Sequence, residues 1–115
     1  MQIHHLLSEM DAMVSQGQIV NAVERFFANN AKTQDFDGTI TNTKVEMLDK
    51  MTGFVGGIKA VNGITLHQAA IEGDVSLSEY TFDFDMKDGS HILWHEIIRR
   101  QWKDGKVIDE QYFKN

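Results

Sequence analysis

The chain is 115 residues long, contains neither proline nor cysteine, and sets 11 Lys and Arg against 17 Asp and Glu for a formal charge of −6. That length suits one domain, 1–115, with a core of its own, and the missing cysteine excludes a disulfide scaffold, a thiolate nucleophile and Cys-ligated zinc. The acidic balance opposes capture of phosphate backbones and of anionic bilayers, so neither nucleic acid nor membrane is expected as a partner.

In chain order, Ile3, Leu6, Leu7, Met10, Met13 and Val14 recur at the three-and-four spacing of one helical face, and Gly17 stands where a left-handed residue would stop the helix. Ile19, Val20, Val23, Phe26 and Phe27 repeat the pattern and predict a second helix running to Asn29-Asn30. After Gly38, Thr43 and Glu46 have the spacing of a capping box. Leu48, Met51, Phe54, Val55 and Ile58 then form the buried stripe of a third helix, broken by Gly56-Gly57 and Asn62-Gly63. The period changes to two from Ile64. Strands are expected at Ile64–Ile71, Val75–Met86, His91–Trp102 and Val107–Phe113, separated by Gly73-Asp74, Asp88-Gly89 and Asp104-Gly105. Three helices followed by a four-stranded antiparallel meander define an α+β fold.

With two-residue turns, one sheet face carries His67, Tyr80, Phe82, Phe84, Leu93, His95, Ile97, Arg99 and Tyr112. The other carries Leu66, Leu77, Glu79, Thr81, Asp83, Ile92, Trp94, Glu96, Ile98, Arg100, Trp102 and Phe113. Both faces are apolar, whereas three short helices cover only one. A homodimer through the sheet is therefore expected. The amino-terminal segment has no signal-peptide pattern and no run approaches the ~20 apolar residues that cross a bilayer, so a cytoplasmic protein is expected.

The five histidines do not form a metal pattern, because His91 and His95 on a strand project about 13 Å apart. Phosphate-binding loops and serine-nucleophile elbows are absent from the sequence, and no cofactor or metal is expected. Ionisable residues on apolar strand positions remain: Glu79, Glu96 and Arg100 on one face, His67, His95 and Arg99 on the other. Burial beside Trp94 and Ile98 would raise the Glu96 pKa and suit it to acid/base work. The competing reading is structural, with Arg100 paired to Asp109 and Arg99 to Glu110 across the last hairpin.

The stretch Phe27-Ala28-Asn29-Asn30-Ala31, leading through Thr33-Gln34-Asp35-Phe36-Asp37-Gly38 into the third helix, and the closing Trp102-Lys103-Asp104-Gly105-Lys106-Val107 with Tyr112-Phe113 resemble the nuclear-transport-factor-2-like superfamily. The nearer likeness is to its SnoaL-like and ketosteroid isomerase-like branches. The resemblance implies a cone, a curved sheet capped by helices around a pocket for a small apolar molecule, commonly dimerising through the outer sheet face. It places Asp35 at the position of the isomerase general base, with Glu96 as a substitute acid. Glu79, Trp94, Ile98, Arg100 and Phe54 are expected around the substrate. Met10 and Ile98 stand where the isomerases carry their oxyanion donors, and Phe36 where a proline often follows the base. Two functions stay open: isomerase, cyclase or dehydratase chemistry on a small carbonyl or polyketide-like compound, or a non-catalytic ligand-binding or dimerisation module.

Overall fold

A computed structural model of the chain describes residues 3–114. Helix α1 spans His4–Ser15 and turns Leu7, Met10 and Val14 inward together with one charged residue, Asp11. Gly17, at φ 81°, donates its N–H to Val14 and ends the helix in the left-handed conformation that glycine reaches without strain. Helix α2, Ile19–Phe26, buries Ala22, Val23 and Phe26, and Phe26 meets Trp102 edge to face at 6.2 Å.

The chain then becomes strand β1, Phe27–Gln34, where the sequence pattern predicts helix as far as Asn30. Its apolar residues, Phe27 and Ala31, are buried through pairing with a strand far away in sequence, a partner that local periodicity does not reveal. A short β2, Ile40–Asn42, folds back on β1. Helix α3, Lys44–Gly56, starts as its capping residues require, with Thr43 Oγ1 accepting the Glu46 N–H at 3.3 Å. Ile58 is not part of its stripe. It opens strand β3, Ile58–Glu72, and Asn62-Gly63 produces an irregularity within that strand rather than a break before it.

Strands β4 (Val75–Met86), β5 (His91–Lys103) and β6 (Lys106–Lys114) complete a six-stranded curved sheet of order β2-β1-β6-β5-β4-β3. The expected four-stranded meander is thus four of its six strands, and the parallel pairing of β1 with β6 makes the sheet mixed. Three helices cover the concave face, where Tyr80, Phe82, Phe84, Ile98, Trp102 and Val107 join the helical residues in one core.

Two corrections of register decide what faces the core. The Asp88-Gly89 turn is not a two-residue hairpin: Met86 donates to the Ser90 carbonyl across residues 87–90, and Tyr80 lies opposite Glu96. This slip moves Tyr80, Phe82 and Phe84 to the face of Trp94, Glu96 and Ile98, and moves Glu79, Thr81 and Asp83 to the other. The Asp104-Gly105 turn does close in two residues, with both at positive φ, but the ladder shifts between Gln101 and Trp102. Arg100 therefore faces Glu110, and Arg99 faces Gln111, in place of the expected Asp109 and Glu110 partners. Tyr112 and Phe113 exchange their expected places: Tyr112, opposite Ile98, joins the concave face and Phe113, opposite Ile97, moves to the convex one.

Candidate functional site

The open end of the concave face and the three helices enclose a cavity of about 150 Å³. Its wall is apolar: Met10 and Val14 from α1, Val23 from α2, Met51 and Phe54 from α3, and Phe82, Phe84, Trp94 and Ile98 from the sheet. Phe54 stacks on Trp94 at 6.0 Å, and Phe36, just after β1, meets the same indole edge to face at 5.9 Å. Of the residues expected at the site, Asp35, Glu96, Trp94, Ile98, Arg100 and Phe54 all line this cavity. Glu79 does not. The longer β4–β5 loop puts it on the convex face, where His95 Nε2 lies 2.5 Å from Oε2 and holds the carboxyl below its ordinary range.

Glu96 is 6% exposed and points into the cavity from the middle of β5. Among the described residues its carboxyl takes part in no hydrogen bond or ion pair within 4 Å. Burial pushes its pKa up to about 7, opposed by the Lys114 ammonium and assisted by the Glu110 and Asp35 carboxylates. Near neutral pH it is thus poised between acid and carboxylate, the condition that general acid/base catalysis needs.

Asp35 has a different environment. It follows β1 at a turn in which its N–H donates to the Thr39 carbonyl and its own carbonyl accepts from Gly38. Its carboxylate is ion-paired with Lys50 of α3, whose ammonium also donates to Thr41 Oγ1 at 3.3 Å.

The floor is a buried polar chain. Arg100 donates from Nε to Glu110 Oε2 at 2.9 Å and from a terminal nitrogen to Asp11 Oδ1 at 3.3 Å. Tyr112 donates its hydroxyl to Glu110 at 2.5 Å, Tyr80 donates to Asp11 at 2.7 Å, and Ser78 donates to the same carboxylate at 2.9 Å. Burial alone would disfavour the guanidinium charge, but Glu110 and Asp11 override it and hold the Arg100 pKa above its ordinary value. Burial and the neighbouring carboxylates likewise push both tyrosines above the usual phenol range.

Asp11, Tyr80, Glu110 and Tyr112 are absent from the expected set. One signal was available for Asp11, a charge set into the apolar stripe between Met10 and Val14, whereas Glu110 and Tyr112 depended on the corrected register. Where the isomerase resemblance implies oxyanion donors, Met10 and Ile98 supply apolar wall. A wider groove of about 510 Å³ runs between α1 and β3, but the Asp11 carboxylate on its border is already occupied by Ser78, Tyr80 and Arg100. Among the described residues, no group of three or more His, Asp or Glu is placed to hold a metal ion.

No family model and no curated protein matches the chain in sequence. Solved structures do match in shape. A candidate SnoaL-like polyketide cyclase from Mesorhizobium loti superposes with a TM-score of 0.87 at 20% identity, covering 98% of this chain and 99% of that one. The chain has the nuclear-transport-factor-2-like fold. The same architecture aligns with a ketosteroid isomerase-like protein from Catenulispora acidiphila, solved in complex with trimethylamine, at TM-score 0.74 and 16% identity over 89% of this chain and 79% of that one. It also aligns with an epoxide hydrolase from M. tuberculosis at 0.75 and 11%, over 94% and 79%. Among the described residues, no helix is long and apolar enough to cross a membrane.

Proposed function

We propose that the cavity binds a small, largely apolar carbonyl compound and catalyses proton transfer at the carbon beside its carbonyl. The single observation that carries this reading is the Glu96 carboxyl, unpaired in an apolar cavity whose lining also includes Asp35. Protonated Glu96 donates to the carbonyl oxygen as negative charge develops there, and Asp35 accepts the proton from carbon. Two carboxyl groups in one cavity with unlike surroundings are the usual basis for such a division of labour. Arg100, Glu110 and Tyr112 form a fixed floor that sets how deep the ligand sits. A dry cavity near 150 Å³ accommodates a ligand about the size of benzene. This size favours a monocyclic ketone over a steroid or a fused polyketide.

The test is exchange of the α-hydrogens of cyclohexanone in deuterated buffer, followed by proton NMR. Exchange above the buffer rate, lost by a factor of ~100 or more in both Glu96→Gln and Asp35→Asn, is the expected result. Because Glu96 acts in its protonated form, the rate should decline above about pH 7. A rate that rises through that range, or equal exchange by Glu96→Gln, refutes the assignment.

A second reading is supported by the Asp35–Lys50 pair, which already engages the proposed base. In that reading the cone is a ligand-binding module with no chemistry. The homodimer is part of either proposal: Leu77, Leu93, Ile97 and Phe113 leave an exposed apolar patch on the convex face, of the kind a second sheet covers.

A further inference from the structure

Lys114, near the end of β6, stands opposite Glu96 across the β5–β6 ladder. Its side chain turns back over the cavity mouth, with the ammonium 4.3 Å from the centre of the Phe36 ring and 4.9 Å from that of Trp94. Both distances lie inside the ~6 Å range over which an aromatic face attracts a cation. The mouth is therefore an aromatic pair built around a positive charge that the chain supplies itself.

The charges around the cavity explain why this position favours a cation. Asp35 is matched by Lys50, while Asp11 and Glu110 share the single guanidinium of Arg100. Ionised Glu96 adds a further negative charge, and Lys114 is the cation whose field acts on it. Lys114 is exposed, on a long flexible stem, and can return its ammonium to water. Once it withdraws, Phe36 and Trp94 face a cavity with excess negative charge. A neutral ligand leaves that excess in place, whereas a cationic one reduces it.

We propose that the cavity mouth is a binding site for a small tertiary or quaternary alkylammonium group, which takes the place of the Lys114 ammonium between Phe36 and Trp94 while the apolar remainder of the ligand fills the cavity. This rests on the cavity being the ligand site and does not require Glu96 to move a proton. It adds a cationic group to the substrate class, held at the mouth and apart from the reacting carbon. Lys114 is then an internal competitor, and removing its charge strengthens binding.

The experiment is titration calorimetry at constant ionic strength with tetramethylammonium chloride, and with tert-butyl alcohol as a neutral compound of similar size. It is run on the unmodified protein, Lys114→Met and Trp94→Leu. The expected result is that the ammonium ion binds at least about tenfold more tightly than the alcohol, that Lys114→Met tightens it about three- to tenfold, and that Trp94→Leu weakens it by a similar factor. Lys114 is exposed and its substitution does not touch the core, so this arm holds even if Trp94→Leu fails to fold. Equal affinity for ion and alcohol, or unchanged affinity in Lys114→Met, overturns the inference. Ammonium binding without cyclohexanone exchange supports this inference while refuting the catalytic reading, and exchange without ammonium binding does the reverse.

Discussion

Arg100 and Glu110 face one another across β5 and β6 with Nε 2.9 Å from Oε2, both 2% exposed, and the same guanidinium reaches Asp11 on α1. One cation thus ties the first helix to the last two strands beneath the cavity. Replacing Arg100 by Leu leaves two buried carboxylates without a counter-charge, which costs about 3–5 kcal/mol. Urea unfolding should show this loss, and the triple change Arg100→Leu, Asp11→Asn, Glu110→Gln should recover a large part of it. A loss below about 1 kcal/mol for the single variant would mean the carboxylates find solvent or protons instead.

Tyr80 is fully buried and its hydroxyl donates to Asp11 at 2.7 Å. Tyr80→Phe keeps the ring stacked on Phe82 and deletes one donor from a carboxylate that retains Ser78 and Arg100. The expected loss is about 1–2 kcal/mol, with the cavity and its ligand affinity unchanged. A changed ligand affinity would show that the polar floor is mechanically coupled to the mouth.

The raised pKa of Glu96 makes stability depend on pH in a defined direction. In the unfolded chain this carboxyl titrates near its ordinary 4.5, and in the folded protein near 7. Between these values the folded state binds more protons than the unfolded one, so stability falls as pH rises through the window. Glu96→Gln removes the cost of ionisation: it should exceed the parent protein by as much as about 3 kcal/mol above pH 7, and the gap should close below pH 4.5. Parallel stability curves for the two proteins between pH 4 and 8 would contradict this.

Leu93 is 63% exposed on the convex face. If a second sheet covers this face, Leu93→Glu places paired like charges at the interface and should convert a dimer to a monomer by light scattering at micromolar concentration, with the circular dichroism spectrum preserved. A parent protein that is already monomeric removes the proposal.

Periodicity was sufficient for α1, most of α2 and α3, because each shows its apolar stripe within a few turns. It also located the four strands of the meander, β3 only from Ile64 onward. Strand β1 was hidden because Ala28, Asn29 and Asn30 carry no alternation and its burial comes from β6. The start of β3 was hidden because Lys59 to Gly63 mixes polar residues, glycine and a shifting register. At the site, Glu96, Trp94, Ile98 and Arg100 were legible together since alternate residues of one strand must share a face. Glu79 was misplaced by a loop longer than its Asp-Gly signature suggests. Lys50 and Lys114 were invisible as neighbours of Asp35 and Glu96, because each approaches from a separate element through a flexible side chain.

The parallel union of β1 with β6 joins Phe27 to Val107, across almost the whole intervening chain. Pairings so distant in sequence form slowly, since the closing of the loop must precede any gain from the contact. Helices and the β3–β4–β5 ribbon assemble from neighbours, while β1 and the Asp35 turn that it carries wait for the last strand. Contact order thus predicts different stages of folding for the two carboxyl groups of the cavity, with Glu96 in an early hairpin and Asp35 in the final closure. Slow docking of β1 would leave a compact intermediate with an open cavity, an exposed sheet edge and a tendency to self-associate before the ligand site exists.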